Sequence, residues 1–476
     1  MPVSDKAALA GFGYAQELFR SLGGFSNFAI SFSIISVLTG AVTLYGYGFE
    51  MGGPLEMSLG WPLATLATLT IALSMAELCS AYPTSGAMYH WTAALGAPRL
   101  AWFVAWFNIF GLIAAQAGIN YSCAQFVLPF LGWEATPARL FLVFAFITVN
   151  QGALNHFGVR LVAILNDVSV AVHILGVVVI AGAVFYFAPL QPVSFLAQAT
   201  NSNGHSPYWW AFLLGLLQAH WTFTGFDGSA HMAEETGDPR RRAPWGVVLS
   251  VAVSGVVGYL LLLALTLAIQ DPAALRQSST PAPIAILQIA LSPRAGTALG
   301  ALASMAMWFC GLAALASTSR TIYSLARDEG TPLAHLLKRV DPRHGTPGWA
   351  IWTVVGAALI AMVWTEAVPV VTSLSTVALY IAYAIPVVLA LRARRPDGRD
   401  WTQLAVWRLG RAGRYVNAFA LVYTAVICVV LMAPPNQLAA KTAALLLTTL
   451  LTLWFLRARH FYRGPAWTLD PLPEQP

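Results

Sequence analysis

Charge is what this chain has least of. Its 476 residues include 26 Lys and Arg and 20 Asp and Glu, so charged side chains make up 10%. A soluble domain carries about 25%. Hydrophobic residues reach 58% and the mean hydropathy is +0.66. The deficit excludes an ordinary water-soluble globule and predicts an integral membrane protein in a lipid bilayer. Cysteine is scarce too. Cys79, Cys123, Cys310 and Cys428 all lie inside apolar segments, with neither a disulfide framework nor zinc spacing. No G-x-S-x-G elbow and no phosphate loop occurs. Enzyme activity, a cofactor and a bound metal are therefore not expected. The first 20 residues hold Lys6, Glu17 and Arg20 without an apolar run, so no cleavable signal peptide is expected.

Twelve long apolar runs are present: about 25–48, 61–81, 101–128, 138–155, 160–187, 209–232, 245–269, 296–325, 348–365, 368–391, 415–433 and 440–457. Each approaches the length that crosses a bilayer. With the N-terminus cytoplasmic, only Arg139, Arg276, Arg294 and Lys441 of the 26 Lys and Arg fall outside. The positive-inside rule then places both termini in the cytoplasm, in a plasma or inner membrane. The net charge of +6 is accounted for by topology and gives no footprint for nucleic acid. No segment is left over for a second globular domain. Residues after 458 are expected to form a mobile tail.

Two of the runs are broken in the middle. Residues 25–48 are punctured by Ser36, Thr39 and Gly40, and residues 209–232 by Thr222, Thr224, Gly225 and Asp227. A helix broken at membrane depth frees backbone N–H and C=O groups, tolerable only against protein or a watery cavity. Paired broken helices in two halves mark the substrate site of secondary transporters. The breaks fall in runs 1 and 6. The expected layout is therefore one transmembrane domain, 1–476, made of an inverted repeat (25–187 and 209–391) and two appended helices (415–457).

Three strings go further: AELCSAYPTSGAMY (76–89), WTFTGFDGSAHMAEETGDPRRRAP (221–244) and SRTIYSLARDEGTP (319–332). Together they resemble the amino acid–polyamine–organocation (APC) superfamily, and within it the amino acid/choline branch with its 4-aminobutyrate and choline permeases. The resemblance spans about 12–460. It implies an all-α LeuT-type fold, a five-plus-five repeat with helices 1 and 6 discontinuous, and alternating access.

It also implies roles. The superfamily's small-residue motif aligns with Leu38, Thr39 and Gly40, beside Ser36, where the N–H groups of a half-helix would meet a substrate carboxylate. Leu38 departs from the usual small residue. Trp221, Phe223, Thr224 and Gly225 would border the substrate from the second break, with Asn108 facing the site or a neighbouring helix. Asp227 occupies a position where relatives carry a glutamate linked to gating and proton response; a helix cap is the alternative. His173 falls where sodium-independent members place a lysine, so a proton role is open beside plain packing. Ala314, Ser317 and Thr318 share one helix face at the family's sodium position. Hydroxyls there also serve as ordinary membrane-helix glue. Glu77, Arg320, Arg327, Glu234 and Glu235 are candidates for cytoplasmic gate pairs.

The resulting expectation is a permease for a small amino acid or ω-amino acid, coupled to protons rather than sodium. The alternative is a choline or polyamine permease whose cation–π box is Trp221, Phe223, Phe226 and Trp308. A sensor or channel on the same fold is a third class. It is weakened by the short extensions and by the lack of a continuous polar stripe. Nothing in the sequence sets an oligomeric state.

Overall fold

The computed structural model describes residues 5–277, 280–363, 368–395, 400–434 and 436–468. Helices dominate, and the described residues form no β-strand, only two isolated bridges. Among the described residues, ten helices are long and apolar enough to cross a membrane. Large apolar side chains stand outward on several of them, among them Phe146, Val179, Val256, Leu445 and Leu456. A contiguous apolar exterior of this kind needs lipid, not water.

The first run begins as α1 (Gly24–Ile35), continues as α2 (Val37–Thr43), and passes into α3 (Tyr45–Leu55). Helix α4 (Trp61–Ala81) follows directly. The expected loop between runs 1 and 2 is thus itself helical. It is bent at Gly53 (φ 64, ψ −157) and widened to a π-type turn over Glu56–Gly60. Pro54, just after the bent glycine, cannot donate to the helix before it, which restarts the helix there. Next come α5 (Pro98–Val127), α6 (Pro137–Phe157) and α7 (Val159–Phe187).

The 209–232 run is broken between Thr222 and Gly228, as expected, and is interrupted again at Leu216. It is three short pieces: α8 (Tyr208–Gly215), α9 (Leu217–Thr222) and α10 (Gly228–His231). None is long enough to span alone. Helices α11 (Pro239–Leu267), α12 (Pro293–Arg327), α13 (Gly348–Val363) and α14 (Val368–Ala393) complete the second half. Part of the expected 348–365 run lies outside the described residues, and α13 has 16 of its own. Two more helices, α15 (Gly413–Met432) and α16 (Gln437–Leu453), pack on α14 and on each other.

The packing repeats when each helix is advanced by one half. α5 packs on α6 and α12 on α13; α5 packs on α14 and α12 on α7. α1 packs on α7 and α9 on α14; α1 packs on α11 and α9 on α4. The pairs α4–α11, α5–α12 and α6–α13 map onto themselves. This is the pattern of a five-plus-five repeat, and it sets the two broken segments against one another at its centre.

The outer shell of this arrangement is pinned by neutral amides. Asn120 and Gln151 exchange two hydrogen bonds (2.8 and 3.1 Å), and Gln151 also donates to the Trp308 carbonyl (2.9 Å). Asn155 donates to the Leu312 carbonyl (3.1 Å). These bonds tie α5, α6 and α12 together with every donor matched to an acceptor. Such a network is stabilising where no water competes.

The segment after 458 differs from the expected mobile tail over its described part. Trp467 packs at 5.1 Å from the Phe12 ring and edge-on to His90.

Candidate functional site

The first break is one residue wide. Ser36 adopts φ 39, ψ 82, the left-handed region that a non-glycine residue enters only at a cost. Its carbonyl accepts from the N–H groups of Thr39 (2.8 Å) and Gly40 (2.9 Å), which starts α2. Thr39 and Gly40, read from the sequence as part of the break, lie inside α2 instead. The Ser36 hydroxyl holds the turn. It lies 2.7 Å from His173 Nε2 and 2.5 Å from Thr39 Oγ1.

The second break is wider. α9 ends at Thr222, the chain turns through Gly225 (φ 86), and α10 restarts after Asp227. The Asp227 carbonyl accepts from Ala230 and His231 N–H. Thr224 N–H and hydroxyl both return to the Trp221 carbonyl.

The two breaks interlock through their glycines. A methyl group on Gly40 would strike Thr222, including its Cα at 2.7 Å; one on Gly225 would strike the Ile34 side chain. Hydrogen is the only side chain that lets α2 and the second break approach this closely. Ser31 adds a hydroxyl bond to the Phe226 carbonyl (2.7 Å).

Where the breaks meet there is a small enclosed cavity. Thr39 and Gly40 line it from the first break; Trp221, Thr222, Thr224 and Gly225 line it from the second. Ile34 and Ile35 of α1, Leu112, Ala115 and Ile119 of α5, Cys310 and Ala314 of α12, and Leu379 of α14 complete the wall. The volume open to a water centre is about 10 Å³, room for roughly one water. The conformation is closed. Of the residues expected to meet substrate, Ser36, Leu38, Phe223 and Asn108 do not line this cavity. Leu38 is fully buried, Phe223 packs tilted against Trp61 at 4.8 Å between ring centres, and Asn108 turns to Asp227 at 3.4 Å.

Asp227 is the ionisable centre of the site and has no solvent exposure. Tyr383 donates to Oδ1 (2.7 Å), and His231 Nε2 lies 3.0 Å from Oδ2. Tyr383 also accepts from the Gly225 N–H (3.2 Å), so one hydroxyl joins the cavity wall to the carboxylate. Sequence reading singled out neither partner. The i, i+4 spacing of Asp227 and His231 on one helical turn was the available signal.

His173 is placed differently. Its Nδ1 lies 2.7 Å from the Ser169 carbonyl, and among the described residues no carboxylate meets its ring. On α12, the Thr318 hydroxyl is returned to the Ala314 carbonyl (2.7 Å), while the buried Ser317 hydroxyl has no protein partner. Of this trio, only Ala314 reaches the cavity.

Below the cavity, the end carrying the basic loops is shut by ion pairs. Glu235 meets Arg320 (2.7 Å) with both side chains buried, and Glu234 meets Arg327 (2.8 Å). Burial alone would raise the Glu234 carboxyl, but the Arg327 charge and the Ser85 N–H outweigh it and hold it below the usual range. Glu77 pairs with Arg394 and accepts from the Leu409 N–H, so it clamps the loop after α14 and not α12. Tyr14 and Tyr89 both donate to Asp328, drawing the N-terminal segment under the same end.

His156, Asp341 and His344 form the one cluster of metal-ligand type among the described residues. The Trp352 indole donates to His156 Nδ1 (2.9 Å), which leaves the proton on Nε2, the atom facing Asp341 at 3.6 Å. That atom has no lone pair to give a metal. The Asp341 carboxyl sits down at about 2, held by the Arg343 N–H and the His344 ring.

Comparison with known proteins agrees with this architecture. The family model described as amino acid permease matches residues 22–456. A rice (Oryza sativa subsp. japonica) protein named amino-acid permease BAT1 homolog is 33% identical over 98% of this chain and 96% of its own length. The amino-acid permease BAT1 of Arabidopsis thaliana is likewise 33% identical, over 98% and 97%. Among solved structures, a mutant of the Eremococcus coleocola manganese transporter has a TM-score of 0.61 at 15% identity, covering 92% of this chain and 95% of that one. That likeness concerns the fold alone. The chain is an integral membrane transporter with the LeuT-type fold and belongs to the amino acid permease family of the APC superfamily.

Proposed function

We propose that this permease carries a small amino acid or ω-amino acid, such as 4-aminobutyrate, into the cell by proton-coupled alternating access. The observation that carries the reading is the cavity shared by both broken segments. Thr39 and Gly40 of α2 border the space that a carboxylate would take. The end of α9 offers carbonyl groups to an ammonium. The closed, water-sized cavity is one state of the cycle, and substrate and proton shift the populations of the others. The chain crosses the plasma membrane twelve times with both termini cytoplasmic, and the Glu235–Arg320 and Glu234–Arg327 pairs form the inner gate.

Two observations favour this reading over its rivals. Trp221 is the only aromatic residue on the cavity wall, whereas a choline or polyamine box needs several rings. At the sodium position, Ala314 has no side-chain oxygen, and neither Ser317 nor Thr318 lines the cavity. A hard cation requires more oxygens than that.

The test is uptake of a radiolabelled panel by proteoliposomes under an inward proton gradient without sodium. Uptake of an amino acid that a protonophore collapses supports the proposal. Uptake only with sodium moves coupling to Ser317 and Thr318. Uptake of choline or a polyamine, with amino acids inert, replaces the substrate class.

A further inference from the structure

The Asp227–His231 contact has a proton count that its surroundings fix. His231 Nδ1 lies 3.0 Å from the Ser85 carbonyl oxygen, which can only accept. It also lies 3.2 Å from Thr321 Oγ1, whose own proton goes to the Ser317 carbonyl (3.2 Å). Two acceptors face Nδ1, so Nδ1 carries a hydrogen. The other ring nitrogen, Nε2, faces Asp227 Oδ2 at 3.0 Å. With Nδ1 occupied, that second contact is a hydrogen bond only if one more proton sits on Nε2 or on the carboxyl. A neutral ring beside an ionised carboxylate would set a lone pair against a negative oxygen. It would also leave a net charge in a place with no solvent exposure.

We infer that His231 is the partner with which Asp227 holds the transported proton: the closed conformation contains one proton shared by this pair. The inference rests on the proposed transport function and identifies the second proton-bearing residue at its coupling site.

The neighbours support this assignment. The other groups facing the pair are Tyr383 of α14 and Asn108 of α5, both donors to the carboxylate. Nearby charges are already neutralised as Glu235–Arg320 and Glu234–Arg327. Among the described residues no lysine or arginine bonds Asp227, so its counter-charge is the proton itself. The pair is wired in both directions. Tyr383 links it to Gly225 on the cavity wall, and Ser85 links it to the basic end. While the Ser85 carbonyl accepts from His231, the Ser85 N–H donates to Glu234 (3.0 Å), the acid paired with Arg327. Loss of the proton breaks the imidazole–carboxylate bond, while the Nδ1–H bond to the Ser85 carbonyl remains.

The experiment uses the full chain in proteoliposomes and compares wild type with His231→Gln and His231→Asn. Two readouts are taken for a transported amino acid. One is the proton-to-substrate ratio from reversal potentials. The other is substrate exchange at equal concentrations and pH on both sides. The glutamine can bond Asp227 or Ser85 but cannot carry the extra proton. Expected are a gradient-driven accumulation lower by roughly tenfold or more, a ratio falling to zero, and exchange that persists without pH dependence between about pH 5 and 8. An unchanged proton ratio in His231→Gln overturns the inference. If neither histidine variant folds, Asp227→Asn is read in the same two assays, with the same expected and opposing results. Failure of all three to yield folded protein assigns the pair a structural role and also overturns it. Absence of any amino acid uptake or exchange by wild type refutes the transport proposal itself, a result distinct from all of these.

Discussion

The two broken segments occupy equivalent places in the two halves, yet they are built from different chemistry. The first is a single left-handed residue, Ser36, held by a hydroxyl and an imidazole that satisfy each other without charge. The second is an unwound turn with a glycine at φ 86, a buried carboxylate and a second imidazole. The first gives Thr39 and Gly40 to the cavity wall. The second holds the ionisable groups, and its continuation runs straight into Glu234 and Glu235. Structural symmetry supplies two half-helices; the sequence then equips them differently, with an uncharged turn on one side and, on the other, a buried carboxylate that leads into the Glu235–Arg320 and Glu234–Arg327 pairs.

The largest expected effect comes from the ion pair that anchors the second segment. Arg320→Ala leaves Glu235 buried without its partner, a cost of about 3–5 kcal/mol. The thermal midpoint of the purified protein should fall far more than for Lys338→Ala, whose exposed pair with Glu329 is worth about 0.2–1 kcal/mol. Equal shifts would mean that the second segment is not specially anchored.

Next is the turn itself. Gly225→Val combines a left-handed backbone, about 1–2 kcal/mol, with overlap against Ile34, about 1–3 kcal/mol. Uptake should drop by about two orders of magnitude. Ile34→Ala should restore only part of it, because the backbone strain remains.

Gly40→Ala sharpens the comparison, since Gly40 is helical and carries no backbone strain. Only the overlap with Thr222 applies, about 1–3 kcal/mol, and uptake should fall by roughly tenfold. Thr222→Ala should not rescue it, because the Thr222 Cα is itself 2.7 Å from the added methyl. Full rescue would show that the backbones are free to separate and that the interlock is looser than its geometry.

How much of this was legible differs between the same two regions. The breaks were readable because Ser, Thr, Gly and Asp puncture apolar runs. Which residue turns the chain was not: nothing local distinguishes Ser36 from Thr39 and Gly40, and the reason for Gly40 lies in Thr222, on a segment that only the fold brings near. Asp227 was readable as a costly charge. Its partner Tyr383 is 156 residues away and could not be. His231 was within reach, four residues on, but an i, i+4 pair is common and gains meaning only when Ser85 fixes its tautomer. The gate acids and arginines were visible as a set, yet their pairing, with Glu77 going to Arg394, depends on where the loop after α14 settles.

The smallest expected effect decides the comparison. His173 was the other candidate proton carrier, and its surroundings argue for a fixed neutral ring. Nδ1–H donates to the Ser169 carbonyl at 2.7 Å, and Nε2 accepts from the Ser36 hydroxyl at 2.7 Å. One donor and one acceptor are used, which is what a neutral imidazole offers. An amide offers the same two, so His173→Gln should weaken uptake by no more than about tenfold, the value of one imperfect hydrogen bond. Its proton-to-substrate ratio should stay at the wild-type value. His173→Ala should lose more, because the left-handed turn at Ser36 loses its anchor, but with the ratio again unchanged. If His173→Gln instead abolishes the ratio while His231→Gln keeps it, the proton belongs to the first break.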